Sequence, residues 1–144
     1  MVDKMDRVSE MLRSIGEKCT EQRKLILQAL LDLARPVSAD EVYEYLSSTN
    51  RVGRTTVYRT LELFERKKLV RRIAFRDGII RYESAHLEHH HHLICLCCGE
   101  IIPIENCPIA SLEDSISKDF GFQITEHYLE FYGYCKRCKE DRER

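Results

Sequence analysis

Two CxxC units, Cys95-Leu96-Cys97-Cys98 and Cys135-Lys136-Arg137-Cys138, stand 36 residues apart in a chain of 144. Four thiolates in that arrangement are the ligand set of a structural tetrahedral zinc site, and Gly99 supplies the tight turn that lets the first pair converge. Any fold must therefore bring Cys95, Cys98, Cys135 and Cys138 to one point. Because Cys97 adjoins Cys98, a CxC pairing is also open, but the spacing at 135 and 138 favours Cys95 with Cys98. A redox CxxC needs a single pair at a helix N-terminus, whereas both pairs here read as lying at strand ends, so a thiol oxidoreductase is disfavoured.

The compartment supports the metal reading. No run of about 18 apolar residues could span a bilayer, and the start, MVDKMDRVSEM, lacks the apolar stretch of a signal peptide, so the expected location is cytoplasmic, without membrane contact. Seven cysteines in a reducing compartment do not form a disulfide framework, and the odd count leaves one over in any case. Cys19, Cys97 and Cys107 remain as small hydrophobes or spare ligands.

The net charge of −1 conceals two unlike halves. Residues 1–83 carry 17 basic and 13 acidic side chains, and residues 84–144 carry 6 and 11. All six histidines and every cysteine except Cys19 lie in the second half. The chain is expected to comprise two domains, 1–83 and 84–144, with a hinge at about 83–89.

In the first half, Val8, Met11, Leu12 and Ile15 fall at helical spacing, closed by Gly16. Thr20 caps a second helix bearing Ile26, Ala29, Leu30 and Leu33, ended by Pro36, and Ser38-Ala39-Asp40-Glu41 reads as a capping box for a third. After the polar turn Ser47 to Gly53, a fourth helix buries Val57, Leu61 and Phe64. Leu69 to Glu83 then reads as a hairpin about Asp77-Gly78, with Ile73, Phe75, Ile79 and Tyr82 on its strands. Helices followed by a hairpin give a winged helix-turn-helix.

Ten basic residues against three acidic ones lie between Arg51 and Arg81. Such a local excess on a recognition helix and wing is the footprint of phosphate neutralisation, and arginines near the helix start can reach base edges. Arg54, Thr55, Thr56, Tyr58 and Arg59 are the candidate DNA-contacting residues, and double-stranded DNA is the expected partner.

In the second half, residues 93–95 and 100–105 read as strands flanking a Cys-rich turn. Pro108 starts a helix with Ile109, Leu112, Ile116 and Phe120 on one face and Gly121 at its end. Ile124 to Tyr134 reads as one long strand, apolar on both faces, which in so small a domain calls for a second subunit. Overall the class is α+β: a winged helix followed by a small α/β dimerisation domain with a structural zinc site.

His89-His90-His91-His92 enters the strand through Leu93, so side chains alternate: His90 and His92 face one way, His89 and His91 the other. Glu83 can join the first pair and His127 the second, giving nitrogen and oxygen sites suited to Fe(II), Mn(II), Co(II), Ni(II) or Zn(II). His86 reads as a linker residue.

These residues resemble the ferric uptake regulator (Fur) family of metal-responsive repressors. The likeness runs through Thr20 to Arg23, the TTVYRTL helix at 55–61, Tyr82-Glu83, the segment 89–100, and 127–135 ahead of Cys138. It implies a homodimer that binds a palindromic operator when a divalent metal fills a hinge site, and neither an enzyme nor a small-molecule substrate. Structural zinc falls on Cys95, Cys98, Cys135 and Cys138, the sensing site on Glu83, His90 and His92, and an additional site on His89, His91 and His127. Peroxide-sensing and zinc-only regulators share the same fold, and Glu83 stands where the peroxide sensors tend to have Asp. Three positions depart from the family pattern. Pro36 replaces a histidine before helix three, Pro103 replaces a carboxylate after the first cysteine pair, and Ala110 replaces an acid of the additional site. Glu105, Cys107 and Glu113 are the neighbours able to compensate.

Overall fold

The structure, a computed structural model, describes residues 3–49 and 51–144, and of Thr49 only the backbone. The chain divides into two compact units, one ending at His86 and the other running Leu87–Arg144.

The first unit is built from four helices and a three-stranded sheet: α1 (Lys4–Ser14), α2 (Glu21–Leu33), β1 (Val37–Ser38), α3 (Ala39–Leu46), α4 (Arg54–Arg66), β2 (Val70–Ala74) and β3 (Ile80–Ser84). The expected stops and starts are physical ones. Gly16 adopts φ +74 after α1, the Thr20 hydroxyl accepts from the Arg23 N–H at 3.3 Å, and the Ser38 hydroxyl accepts from the Glu41 N–H at 3.1 Å. The reciprocal half of the capping box is replaced, since the Glu41 carboxylate is engaged by Arg35 at 2.6 Å. α2 ends at Leu33, with Ala34 in the left-handed region, before Pro36 is reached. The turn expected from Ser47 to Gly53 begins as a 3-10 turn, Ser47–Thr49, and its residue 50 lies outside the described residues.

Leu12, Ile26, Leu27, Val42, Leu61 and Phe64 are completely buried and join the helices into one apolar core. Each such side chain contributes roughly 1.5–3 kcal/mol relative to exposure. Strand order is β1-β3-β2, antiparallel, with β2 and β3 in register from Val70↔Ser84 to Ala74↔Ile80. The wing differs from the expected hairpin in one respect: Phe75 and Ile79 belong to the connection and not to the strands. The Asp77 carboxylate accepts from the Ile79 N–H at 3.0 Å and pairs with Arg81 at 2.7 Å, which opens the turn beyond a two-residue loop.

The second unit contains β4 (His91–Cys95), β5 (Ile101–Ile104), α5 (Ala110–Phe120), β6 (Glu130–Gly133) and α6 (Lys136–Arg142). Its sheet has the order β5-β4-β6, with β4 antiparallel to β5 and parallel to β6. Pro103 is tolerated because β5 is an edge strand. Three expectations are corrected. The strand read from Ile124 to Tyr134 is paired only over Glu130–Gly133, because β4 supplies partners only from His92 to Cys95. α5 starts at Ala110, two residues after Pro108, and ends at Gly121 with φ +60. The second CxxC pair lies at a helix start, not at a strand end, since Cys135 is the N-cap of α6.

Among the described residues of this unit, the buried apolar side chains are Ile94, Cys95 and Cys138. No residue of α5 is buried. So little apolar interior is buried that burial alone contributes little to holding this unit together.

Candidate metal centres and nucleic-acid interface

β4 ends at Cys95, and the chain reverses at once: the Cys95 N–H donates to the Glu100 carbonyl at 2.9 Å, and the Gly99 N–H donates to the Cys95 carbonyl at 3.0 Å. Gly99 has φ +77, a conformation that side chains disfavour. The Leu96 N–H donates to the Gly133 carbonyl at 2.7 Å, locking this turn to the end of β6, from which Cys135 and then α6 follow. Cys95, Cys98, Cys135 and Cys138 thereby converge, with all four ligand atoms within 4.8 Å of one another.

The Cys98 and Cys135 sulfurs are 3.8 Å apart. A tetrahedral ion with ~2.3 Å bonds to sulfur requires edges of about 3.8 Å, so the donor set and its spacing fit zinc. The Cys135 N–H donates to the Cys95 Sγ at 3.3 Å and holds the Cys95 thiol down at about 6. The Cys138 thiol is pushed up, chiefly by its hydrogen bond with Cys135. Four sulfurs this close cannot all ionise without a cation among them. Arg137 lies against the Cys98 and Cys138 sulfurs, a positive neighbour that sequence reasoning missed. Although the second pair is at a helix start, its thiols share one cluster with the first pair.

β4 begins at His91, so His89 and His90 precede the strand they were expected to enter, yet the four histidines still alternate between two groups. On one face, the Nε2 atoms of His89, His91 and His127 are 3.1 Å apart in every pair. The Cys107 Sγ lies 3.3 Å from the Nε2 of His91 and of His127. The His127 Nδ1 is 2.7 Å from a Glu113 carboxylate oxygen. A carboxylate only accepts, so this contact places the proton on Nδ1 and turns the Nε2 lone pair toward the cluster. Burial, then the His89 and His127 charges, depress the His91 pKa below the usual imidazole value, favouring the neutral, ligating form. Cys107 comes from the segment between β5 and α5 and Glu113 from α5. Glu105 is not in this cluster among the described residues.

On the other face, the His90 and His92 rings stand with centroids 4.8 Å apart. The His90 Nδ1 donates to the Glu88 carbonyl at 2.7 Å, which makes Nε2 the acceptor nitrogen of the ring. Glu83 belongs to the first unit, where it is buried near the end of β3 with a carboxylate oxygen 3.3 Å from the Arg71 guanidinium.

The winged helix has the geometry of a nucleic-acid reader. α4 buries Val57, Thr60, Leu61 and Phe64 and exposes Arg54, Thr55, Tyr58 and Arg59, with Thr56 half-buried. Asp40, in the first turn of α3, forms an ion pair with Arg54 and accepts from the Tyr58 hydroxyl at 2.9 Å, and that hydrogen bond raises the Tyr58 pKa. The Arg54 guanidinium also lies over the Tyr43 ring, 4.6 Å from its centroid. Asp40 and Tyr43 thus aim two of the candidate contact residues. Sequence reasoning assigned Asp40 only to a helix cap, because its partners are 14 and 18 residues further along the chain.

A basic winged helix joined to a unit that gathers cysteines and histidines into ligand clusters defines a metal-responsive transcriptional regulator. Comparisons with known proteins agree. A profile of the ferric uptake regulator family matches residues 14–132. The ferric uptake regulation protein of Bacillus subtilis is 38% identical over 145 residues, covering 96% of each chain. The Vibrio cholerae ferric uptake regulator structure matches with TM-score 0.78 and 34% identity over 88% of this chain and 98% of that one. A zinc-bound manganese uptake regulator matches with TM-score 0.76 and 36% identity over 89% and 98%. The chain belongs to the ferric uptake regulator family.

Proposed function

We propose that this protein is a homodimeric, metal-dependent repressor that binds a palindromic double-stranded operator when a divalent cation is held by Glu83, His90 and His92. The observation that carries the reading is the separation of roles along the chain: a basic reading helix in one unit and, in the other, imidazoles on both faces of β4. Four cysteines, Cys95, Cys98, Cys135 and Cys138, hold a structural zinc, and His89, His91 and His127 form an additional site. Glu83 ends the wing, so a carboxylate from the reading unit shared with His90 and His92 couples metal binding to the placement of α4. DNA affinity then rises by the ratio of metal affinities in the two states. The mixed oxygen and nitrogen set accepts Fe(II), Mn(II), Co(II), Ni(II) or Zn(II).

A second copy is the natural cover for α5, whose Leu112, Ile116 and Phe120 are exposed, as are Phe122, Tyr128 and Phe131 further along the chain. Apolar surface on this scale marks an interface. Among the described residues no helix is long and apolar enough to cross a membrane.

Arg59 is exposed on α4 and lies outside all three ligand groups. Arg59→Ala is expected to weaken binding to a selected duplex by about 1–3 kcal/mol while leaving zinc content unchanged, as read by fluorescence anisotropy and metal analysis. Undiminished DNA affinity would show that α4 is not the reading helix.

A further inference from the structure

We propose that Cys107 is the fourth ligand of the additional site, making it a three-imidazole, one-thiolate centre selective for thiophilic divalent ions such as Zn(II) and Co(II) over Mn(II). The inference rests on assigning His89, His91 and His127 to that site and goes further in naming its fourth donor and its metal class.

Three Nε2 atoms at mutual distances of 3.1 Å form a triangle close to the face of a coordination sphere, for which ~2.0 Å bonds in a tetrahedron give edges of about 3.3 Å. Cys107 approaches two corners of that triangle at 3.3 Å, close enough to share one ion with both. Its Sγ and the three imidazole nitrogens form a set in which all four lie within 4.8 Å of one another. The Glu113 carboxylate is not in that set. It is turned to the far nitrogen of His127, where it orients the ring and raises its basicity without itself ligating. Ala110, where the family pattern has an acid, has no donor to offer, so the thiolate is what completes the sphere. Replacing a carboxylate by a thiolate moves the site from hard toward soft donors, hence toward Zn(II) and Co(II).

The second unit holds sulfur donors in two places, and the four-cysteine cluster can be kept occupied by zinc. The test therefore uses the full chain loaded with one zinc per protomer, titrated with Co(II) alone, while a chromophoric chelator reports any zinc displaced. A sulfur-to-cobalt charge-transfer band without zinc release is expected for the unaltered chain, since Glu83, His90 and His92 contain no sulfur. Cys107→Ser should abolish that band. Glu113→Gln should retain it and weaken cobalt binding roughly 10–100-fold. Mn(II) in excess should fail to displace the cobalt. His127→Ala tests the underlying assignment separately: unchanged cobalt affinity there overturns the site itself. Absence of the band in the unaltered chain, or its persistence in Cys107→Ser, overturns the thiolate ligand alone.

Discussion

Cys95→Ser is expected to unfold the second unit while the winged helix keeps its structure. The apolar interior of the second unit is Ile94 together with two of the ligands themselves, so burial cannot hold it. Ligation instead joins the end of β4 to the start of α6, and structural zinc contributes on the order of 10–16 kcal/mol in small zinc-dependent folds. Losing one of four thiolates removes most of that contribution. The first unit has a separate core, from Val8 to Tyr82, and does not depend on it. By hydrogen exchange, amides of β4, β5 and β6 should lose protection in Cys95→Ser while those of α2 and α4 retain it. Sedimentation should show a monomer, since the exposed apolar face of α5 and β6 would no longer be presented. Persistent protection across residues 91–104 would rule out a zinc-dependent fold.

The second large effect lies in the winged helix. Phe64 is completely buried on α4, on the side opposite Arg59, and is among the largest side chains wholly enclosed by the core. Phe64→Ala should cost about 3–5 kcal/mol, because the cavity left behind adds to the lost transfer energy. Set against a total stability of about 5–15 kcal/mol, that loss should lower the first unit's melting temperature by at least about 10 °C. DNA binding should fall with it at physiological temperature, while zinc content stays at one per protomer. A melting shift under about 3 °C would mean that α4 is not anchored by this side chain.

Much of the fold is legible because its signals are local. Gly16, Thr20, Ser38 and Gly121 stop or cap helices through their own backbone chemistry, and each acts within three residues of its position. The four clustered cysteines and the alternation of the histidines are also readable from their spacing along the chain. What escaped depends on long-range placement. The extent of β6 is set by its partner β4, which composition near residue 124 does not reveal. Glu105, Cys107 and Glu113 are equal candidates in the sequence, and only the fold of the chain after β5 brings Cys107 to His91 and Glu113 to His127. Asp40 is read as a cap because nothing in its own neighbourhood shows that Arg54 and Tyr58 return to it. The winged-helix interior, governed by helical periodicity, was more legible than the ligand clusters that tertiary contact completes.

The central claim is that a divalent cation at Glu83, His90 and His92 controls DNA binding. The direct measurement starts from zinc-loaded protein and a duplex selected from a random pool in the presence of metal. Its DNA affinity is followed by anisotropy during titration with Fe(II), Mn(II), Co(II), Ni(II) or Zn(II), in parallel with a His90→Ala/His92→Ala variant. At least one of these ions should tighten binding by about 5–150-fold, the usual range of a coupling of 1–3 kcal/mol, and the variant should lose that response while keeping its zinc. Affinity that is high without added metal and indifferent to all five ions would contradict the account.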